Sequence, residues 1–535
     1  MDKRLLHRLH TALPFLAATL AYLISYARDP RRPAAADLAQ GWWTFSDQGR
    51  YLRSTLAWAV GNLDPAQHWY LPGYPLLAVP FVHLTRANPF LLPDLLFLLA
   101  SLWLTGALAA RLAPAWRHAR LAGLLAFLGT SVLPPAVLNV WVTPWTSTPQ
   151  TAATLGCLLA TLMVLEQPGA ATVWRRVLAA ALCAGAIAAF RPADAVTVSL
   201  VCGGAMLLRT ATAWPGRAAV LRLVAAGLLG GLVPVAVLLA LHLLVHGWQL
   251  GEYLSYSAYL GFEWRILPLQ WVTLMLDPRP LMAEGPGLIA RLPWIVPGLA
   301  GMVACLVSPP LGGRRGPHAL VVTLAVALVL QYLAYRDLHP QGLWRYYNFH
   351  YFKWVLPVFG LYAVLLCAAA AQRRWAGVAA GVVAATVLLP WRAELVMLDG
   401  PALPPQAGRT VALPGGLGVW DAVLIPADGT FETIYHGTHN YYFGENDRIW
   451  YGGTGRITAY AVPNGVMLTP LLTLPMEPGK VVFDAGTLAR GSTPPRLARQ
   501  RIVLGAPCFL SSRRWPLAGC AAPTLIPPPG PGAAP

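Results

Sequence analysis

Residues 222–246 read RLVAAGLLGGLVPVAVLLALHLLVH and contain no acidic side chain. The hydrocarbon core of a bilayer is ~30 Å thick and takes about 20 mostly apolar residues as a helix. The run therefore predicts a membrane-spanning helix. We predict a mainly α fold, a polytopic transmembrane helix bundle of about 11 spans, with a range of about 9–13. The other predicted spans are 11–26, 88–112, 119–138, 149–166, 176–190, 194–208, 292–308, 318–335, 355–371 and 375–391.

The composition of the whole chain agrees with a lipid environment. Of its 535 residues, 56% are hydrophobic and only 11% are charged, and the mean hydropathy is +0.52. Soluble proteins carry roughly 25% charged residues, so this chain has too few to cover several water-facing domains. The composition excludes an ordinary soluble enzyme, a disordered chain and a coiled coil.

The charged residues that give the net charge of +17 are distributed along the chain in a pattern that follows membrane topology. Arginines occur singly or in pairs between the apolar runs, whereas a nucleic-acid surface would gather them into a stripe with aromatic residues. With the N-terminus in the cytoplasm, nearly all these groups fall on the cytoplasmic side, as the positive-inside rule requires. Most acidic residues fall on the other side. We therefore predict a multi-pass protein of a bacterial inner membrane whose functional site faces the periplasm.

Residues 1–391 form the predicted transmembrane domain, with long outer loops at about 27–87, 247–291 and 336–354. Residues 392–520 contain strand-like runs such as WDAVLIP, FETIY and KVVF, and predict a small outer-facing, β-rich domain. Residues 521–535 are rich in Pro and Gly and predict a disordered tail. Cys508 and Cys520 lie in this outer part, where an oxidising compartment would let them form a disulfide. Two free thiols are the alternative.

The first outer loop holds a carboxylate in a short polar patch. Asp47 is followed by Gln48, Arg50 and Arg53 and then by apolar residues, a pattern typical of a helix lying on the membrane surface. A carboxylate there could act as a general base, or hold a divalent metal cation such as Mg²⁺ or Mn²⁺. The alternative is a surface salt bridge between Asp47 and Arg50 or Arg53.

The third outer loop concentrates cations among aromatic side chains. Arg345, His350 and Lys353 lie in or beside a run of seven aromatic residues, which makes them candidates for binding a phosphate. The alternative is an aromatic belt with snorkelling cations at the headgroup level. Arg191 at an outer helix end is a further phosphate candidate, although it could simply neutralise Asp194.

Several short motifs together resemble the GT-C-type glycosyltransferases, polytopic enzymes that include aminoarabinose and mannose transferases and oligosaccharyltransferase subunits. They are an Asp soon after the first span, the run Tyr70-Leu71-Pro72-Gly73-Tyr74-Pro75, Phe190-Arg191-Pro192, and Arg345-Tyr346-Tyr347 before a Pro-containing span. The resemblance implies a sugar transferred from a polyprenyl-phosphate donor to a lipid, glycan or protein acceptor, with inversion at the anomeric carbon.

The resemblance also assigns roles to residues. It places Asp47 as the first-loop acid that deprotonates or orients the acceptor. The family often has a paired acid there, whereas this chain has Gln48. Asp64 is a candidate second acid by position only, and His68 and Tyr74 are further acceptor-side candidates. A mobile lid over the substrate is implied for the second outer loop; the residues assigned to it are Glu252, Tyr256 and Glu263.

A different class of function remains open from the sequence alone, namely a transporter or flippase of lipid-linked glycans. Buried charges within spans would favour it, and Asp94 is such an acid. The sequence shows no internal repeat of the kind that many transporters contain. It also shows no P-loop, Rossmann fingerprint or Gly-x-Ser-x-Gly elbow, so nucleotide-driven transport and serine hydrolysis lose support. The histidine pairs His242/His246 and His436/His439 have no nearby carboxylate or cysteine that would complete a metal site.

Overall fold

The computed structural model describes residues 3–167, 172–213, 216–262, 264, 267–276, 287–335, 338, 343 and 347–371, together with the backbone of six later strands. The chain divides into two compact units. The first comprises Met1–Tyr259, Leu292–Val329 and His350–Leu395, and the second comprises Leu260–Arg291, Leu330–Phe349 and Val396–Pro535. Every contact of the candidate site given below lies within the first unit.

Helices make up most of the described chain before residue 372. In chain order they are α1 (Lys3–Arg28), α2 (Ser46–Ala59), α3 (Gly73–Ala78), α4 (Leu91–Leu112), α5 (Ala119–Phe127), α6 (Pro135–Val142), α7 (Ser147–Glu166), α8 (Val173–Ala188), α9 (Pro192–Val198), α10 (Gly204–Ala213), α11 (Arg217–His246), α12 (Glu252–Leu260), α13 (Leu267–Gln270), α14 (Leu288–Arg291), α15 (Ile295–Val307), α16 (Arg315–Leu333) and α17 (Val355–Ala371). Short 3₁₀ turns occur at Gly41–Thr44, Pro65–Gln67, Val79–Phe81 and Asn348–Phe352, and π-helical turns at Leu128–Val132, Ser199–Gly203 and Trp271–Leu276.

Five helical stretches in the described residues are long and apolar enough to cross a membrane: Leu91–Leu112, Ser147–Glu166, Pro192–Thr210, Val220–His246 and Arg315–Leu333. A sixth is obtained if Ala119–Val132 and Pro135–Val142 form one span. These two segments are bent by 86° at the consecutive prolines Pro134 and Pro135. The bend follows because proline lacks a backbone donor and disfavours a helical conformation in the residue before it.

The predicted spans agree with these helices. Each predicted run from 11–26 to 355–371 coincides with a helix or with the bent pair, and the run 375–391 lies outside the described residues. The mainly helical membrane fold is therefore confirmed, while the number of spans stays a prediction. Only 11% of the Val220–His246 window is buried inside the protein, as expected of a helix that faces lipid tails.

The first outer loop folds against the helices instead of extending away from them. Helix α2 carries Asp47 in its first turn, where the positive end of the helix dipole favours an acid. The buried face of α2 includes Tyr51, Ser54 and Thr55, whereas Arg53 is exposed. This is the amphipathic pattern that the sequence predicted for an interfacial helix.

Gly73 in the Tyr70–Pro75 run explains how closely this loop approaches α8. A Cβ atom at Gly73 would lie 2.5 Å from the carbonyl oxygen of Ala189 and 2.6 Å from its Cβ. Only a residue without a side chain can therefore bring α3 against the end of α8. Arg191 follows two residues after Ala189, so this contact brings the first outer loop beside a predicted phosphate ligand.

The strands after residue 408 pair into two three-stranded sheets in the described backbone. They are β1 (Arg409–Val411), β2 (Trp420–Pro426), β3 (Arg448–Tyr451), β4 (Gly455–Pro463), β5 (Thr469–Met476) and β6 (Val481–Asp484). The sheet orders are β1-β6-β3 and β2-β4-β5, with β1 parallel to β6 and the other pairs antiparallel. The predicted runs WDAVLIP and KVVF fall on β2 and at β6.

The small β-rich C-terminal domain, its boundaries at 391 and 520, and its outer location stay predictions. The run FETIY, the disordered tail and the predicted cysteine pair Cys508 and Cys520 lie outside the described residues.

Candidate functional site

Asp47 accepts a short hydrogen bond from the Tyr70 hydroxyl, with 2.6 Å between that oxygen and Oδ1. The carboxylate is half-buried in the first turn of α2, and Tyr70 comes from the run that ends at α3. Two separate parts of the first outer loop therefore fix its orientation. The guanidinium of Arg50 lies 3.7 Å from the ring centroid of Trp69, a close cation–π contact.

Tyr51 interacts electrostatically with both the acid Asp47 and the cation Arg191. It lies one helical turn after Asp47, and its ring is 4.5 Å from the ring of Tyr70. Burial raises the pKa of Tyr51 well above its usual value, the charge of Asp47 raises it further, and Arg191 and a hydrogen bond with Thr146 oppose the shift. Asp47 and Arg191 thus act electrostatically on one side chain.

Arg191 precedes α9 and reaches a residue 159 positions later in the chain. Its Nη2 lies 3.4 Å from Nδ1 of His350, and its guanidinium carbon is 4.4 Å from the ring centroid of Tyr351. His350 is buried, lies 3.2 Å from the Ser147 hydroxyl through Nδ1, and stacks on Trp145 at 3.9 Å between ring centroids. The third outer loop therefore packs on the residues that begin α7.

The protonation of His350 follows from its neighbours. Burial lowers its pKa well below the usual value, and the positive charges of Arg191 and Lys353 lower it further. The ring is therefore neutral at physiological pH. Because an arginine can only donate, Nδ1 must accept, which places the proton on Nε2. A neutral histidine can serve there as a hydrogen-bond donor without adding charge.

Lys353 is completely buried, unlike a lysine that snorkels to the headgroup level. Its ammonium donates to the carbonyl oxygen of Val140 at 2.5 Å and to the Thr148 hydroxyl at 2.7 Å, and it lies 4.9 Å from the Trp141 ring centroid. Burial lowers the pKa of Lys353 well below its usual value, the nearby Asp94 raises it, and Arg191 lowers it.

The remaining predicted phosphate ligand, Arg345, lies outside the described residues. Of the four phosphate candidates, the structure brings Arg191 and His350 together. Ser147, the first residue of α7, contacts the histidine through its hydroxyl. Asp194 is buried in the first turn of α9. The roles of these residues stay predictions.

The acceptor-side predictions fall in three different environments. Asp64 is exposed and accepts from the backbone N–H of Ala66, which caps a 3₁₀ turn. His68 is buried, with Nδ1 2.9 Å from the Ser54 hydroxyl and Nε2 2.8 Å from the Asn62 carbonyl oxygen. Tyr74 is buried and donates to Asp94 at 2.9 Å. Each of these contacts is one that a structural residue would make.

The predicted lid is partly described. Helix α12 places Glu252 in its exposed first turn and Tyr256 with its ring 6.4 Å from that of Trp69. The neighbouring Tyr253 packs 5.0 Å from the ring of Tyr70, so α12 contacts the residue that holds Asp47. Glu263 lies outside the described residues. His242 interacts through Nε2 with the carbonyl oxygen of Gln249.

Sequence reasoning missed the polar beginning of α7. Residues 143–154 read TPWTSTPQTAAT, and Ser147, Thr148, Gln150, Thr151 and Thr154 are all buried. A run of hydroxyl and amide residues at the start of an apolar helix is a signal that could have been noticed, because lipid does not satisfy such groups.

A divalent cation needs several oxygen or nitrogen ligands that converge on one point. Within the described residues, no group of three or more His, Cys, Asp or Glu side chains comes together. Asp47 has Tyr70 and Gln48 near it, and Gln48 donates to the carbonyl oxygen of Pro144 at 3.0 Å. These described side chains do not form a set that fits a resident divalent cation.

The chain is similar in fold to solved structures. The chain is similar to ArnT from Cupriavidus metallidurans bound to undecaprenyl phosphate, with a TM-score of 0.50 and 16% identity over 74% of this chain and 66% of that chain. The chain has the polytopic fold of ArnT. The predicted resemblance to GT-C-type membrane glycosyltransferases is thereby confirmed at the level of the fold. The chain spans 66% of ArnT.

Other structures align less closely. ArnT in the apo state aligns with a TM-score of 0.47 and 17% identity over 74% of this chain and 66% of that chain. The Archaeoglobus fulgidus oligosaccharyltransferase in the apo form aligns with a TM-score of 0.39 and 10% identity over 71% of this chain and 55% of that chain. No family model matches the sequence, and no curated protein matches it.

Proposed function

We propose that this protein is an integral-membrane glycosyltransferase that moves a sugar from a polyprenyl-phosphate donor to an acceptor on the periplasmic face. The observation that carries the proposal is that Asp47, which is held by Tyr70 against the Tyr51 ring, and Arg191, which is held by His350 and Tyr351, both act electrostatically on the buried Tyr51. An acid and a cation that act on the same buried side chain can serve the two ends of one reaction. The ArnT structure of the same fold binds undecaprenyl phosphate, which supports the donor class.

The acid end of this site activates the acceptor. The carboxylate of Asp47 takes a proton from the acceptor hydroxyl or amine, and Tyr70 keeps that carboxylate oriented. The acceptor atom then forms a bond to the anomeric carbon from the side opposite the phosphate. The bond between that carbon and the phosphate oxygen breaks, its electron pair leaves with the polyprenyl phosphate, and the anomeric configuration is inverted.

The cationic end stabilises the leaving group. Negative charge develops on the phosphate as the bond breaks, and preorganised donors aimed at that charge are worth several kcal/mol in a dry site. Arg191 supplies a guanidinium fork, and the Nε2 proton of His350 supplies a neutral donor, since the Ser147 hydroxyl already donates to Nδ1. The Tyr351 ring restricts the Arg191 guanidinium, and the Trp145 ring restricts His350. Little reorganisation is therefore needed when the donor binds.

A transfer assay in lipid nanodiscs tests the proposal. Purified protein is incubated with radiolabelled sugars carried on undecaprenyl phosphate, together with lipid, glycan and peptide acceptors. We expect transfer with at least one donor, a loss of about 100-fold or more in Asp47→Asn since the base is removed, and inverted product stereochemistry. Asp37→Asn is the matched control, because Asp37 is an exposed acid of the same loop.

Two outcomes contradict this proposal. Near-normal transfer by a folded Asp47→Asn protein would remove Asp47 from the reaction. Movement of labelled lipid-linked sugar between leaflets with no transfer to any acceptor would instead favour the flippase alternative. The intramembrane acid Asp94 is the residue that would favour that alternative, and one of its carboxylate oxygens already accepts from Tyr74.

A further inference from the structure

Gln48, the residue that follows Asp47 on α2, is buried, with only 2% of its surface exposed. Its side-chain amide donates to the carbonyl oxygen of Pro144 at 3.0 Å, across 96 positions of the chain. Pro144 lies in residues 143–146, which form the α6–α7 link. A carbonyl oxygen only accepts, so an amide can make this bond and an ionised carboxylate cannot. The bond therefore ties the first turn of α2 to the α6–α7 link.

The next residues of the same link contact the cationic end of the candidate site. Trp145 stacks on His350 with 3.9 Å between ring centroids, and the hydroxyl of Ser147 lies 3.2 Å from Nδ1 of that histidine. His350 in turn lies 3.4 Å from Nη2 of Arg191. The link thus touches the helix of the acid at one residue and a predicted phosphate ligand at the next.

Lys353 holds the two helix ends that flank the α6–α7 link. Its ammonium donates to the carbonyl oxygen of Val140 in the last turn of α6, and to the hydroxyl of Thr148 in the first turn of α7. These bonds fix the link to the segment that carries His350, whereas the bond from Gln48 fixes it to α2. The position of α2 relative to the cationic end therefore depends on Gln48.

We propose that Gln48 is a positioning residue whose bond to Pro144 fixes the distance between Asp47 and the cationic end of the site. This proposal rests on the proposed glycosyltransferase function, and it gives Gln48 a role without contact with the substrate. The acid acts on the acceptor and the cations act on the leaving phosphate, so their separation must match one transition state. A displaced acid lowers kcat, whereas donor affinity depends on the cationic end and changes little.

Gln48→Glu tests this bond with almost no change in side-chain shape. At neutral pH the introduced carboxylate cannot donate and repels the Pro144 carbonyl oxygen. We expect kcat to fall about tenfold or more, with the Kd for undecaprenyl phosphate within about threefold of wild type. In acid the introduced carboxyl group takes up a proton and can donate again, and burial beside Asp47 raises its pKa. The ratio of its kcat to the wild-type kcat should therefore rise as the pH is lowered from about 8 to about 5.5.

Gln48→Met keeps the length of the side chain but cannot donate at any pH. We expect a similar loss of kcat, with a ratio to wild type that does not change with pH. Hydrogen–deuterium exchange in nanodiscs follows the backbone amides of residues 143–148 in the same proteins. We expect these amides to exchange faster in Gln48→Met than in wild type, because the link has lost its contact with α2.

Gln270→Glu is the matched control for a general loss of stability. Gln270 is also buried, and its amide donates to a backbone carbonyl oxygen, that of Leu338, at 2.6 Å. It belongs to the second compact unit, whereas the contacts of the candidate site lie in the first. We expect Gln270→Glu to lower the unfolding midpoint about as much as Gln48→Glu, with kcat within about twofold of wild type.

Four results would overturn the positioning role. Wild-type kcat in a folded Gln48→Met protein would show that the bond is not needed. A Kd that rises in parallel with the loss of kcat/KM would show that Gln48 contacts the donor. A kcat ratio for Gln48→Glu that does not rise in acid would show that the lost function is not donation to Pro144. An equal loss of kcat in Gln270→Glu would show that both substitutions act through general stability.

The exchange measurement separates this inference from the proposed function, because it needs no sugar transfer. A wild-type protein that transfers nothing refutes the proposed glycosyltransferase. Unchanged exchange of residues 143–148 in Gln48→Met refutes the hold of Gln48 on the α6–α7 link, whether or not the wild-type protein transfers a sugar.

Discussion

The hydroxyl of Tyr70 donates to Asp47 at 2.6 Å, while the ring of Tyr70 packs between those of Tyr51 and Tyr253. The carboxylate is thus held by a side chain that itself packs on helix α2 and on α12. This relationship makes α12 a support of the acid as well as a predicted lid.

Tyr70→Phe should slow the reaction without unfolding the protein. The phenylalanine ring keeps the packing but removes a hydrogen bond to a charged group, which is worth ~1.5–3 kcal/mol. We expect kcat to fall roughly tenfold or more and KM for the donor to change little. Steady-state transfer kinetics provide the measurement, with Tyr26→Phe as the control that removes a hydroxyl on α1. Equal kcat values in Tyr70→Phe and wild type would show that Asp47 needs no such orientation.

Arg191→Lys should weaken donor binding although the charge is kept. Lysine lacks the planar fork that grips phosphate oxygens and that lies over the Tyr351 ring. We expect the Kd for undecaprenyl phosphate to rise about tenfold or more, measured by titration of the protein in nanodiscs. Arg175→Lys is the matched control, since Arg175 lies 5.3 Å from the Trp174 ring centroid and loses a similar contact. An unchanged Kd in Arg191→Lys would place the phosphate elsewhere.

His350 should make the folded protein less stable in mild acid. Its pKa is lowered in the folded state, so below about pH 6.5 the unfolded chain binds a proton that the folded protein excludes. The stability contributed by His350 is therefore present above that pH and is lost as the pH falls through it. We expect the unfolding midpoint of wild type to drop more between pH 7.5 and pH 5 than that of His350→Gln. Parallel curves for the two proteins would contradict a buried neutral histidine.

Gly73→Ala should disturb the contact between the first outer loop and α8. The added Cβ would meet the backbone of Ala189, which cannot move aside as a flexible side chain can. Overpacking of this kind costs typically ~1–3 kcal/mol, and the displacement should also reduce transfer because Arg191 lies two residues further on. Thermal unfolding and the transfer rate are measured beside Gly204→Ala, a helical position where a Cβ meets nothing within 4 Å. A Gly73→Ala protein as stable as its control would argue against close packing at this point.

The described helices and the position of the acid could be predicted from local patterns. An apolar run long enough to cross a bilayer has one stable arrangement in lipid, since every backbone polar group must be paired within the segment. The predicted runs up to 355–371 therefore match helices. The polar patch around Asp47 likewise forms an amphipathic helix because its periodicity allows only one face to be buried.

The candidate site could be predicted only in part. The position of Arg191 at a helix end and the position of His350 in an aromatic run indicate phosphate candidates, and the structure brings these two residues together. The buried state of Lys353 and the participation of Ser147 and Thr148 were not foreseen. A lysine beside aromatic residues has the same local pattern whether it snorkels to the surface or turns inward. Only the packing of neighbouring helices distinguishes the two cases.

The sequence by itself determined that this protein is a polytopic membrane protein with an acid on an amphipathic helix, because hydropathy and helical periodicity are properties of short segments. Tertiary structure decided which polar groups meet. His350 contacts Ser147 across 203 positions, and Lys353 contacts Val140 across 213. Such contacts depend on how the helices pack in three dimensions, where a buried polar group must find a partner from whichever segment lies beside it. No pattern within a single segment specifies that partner.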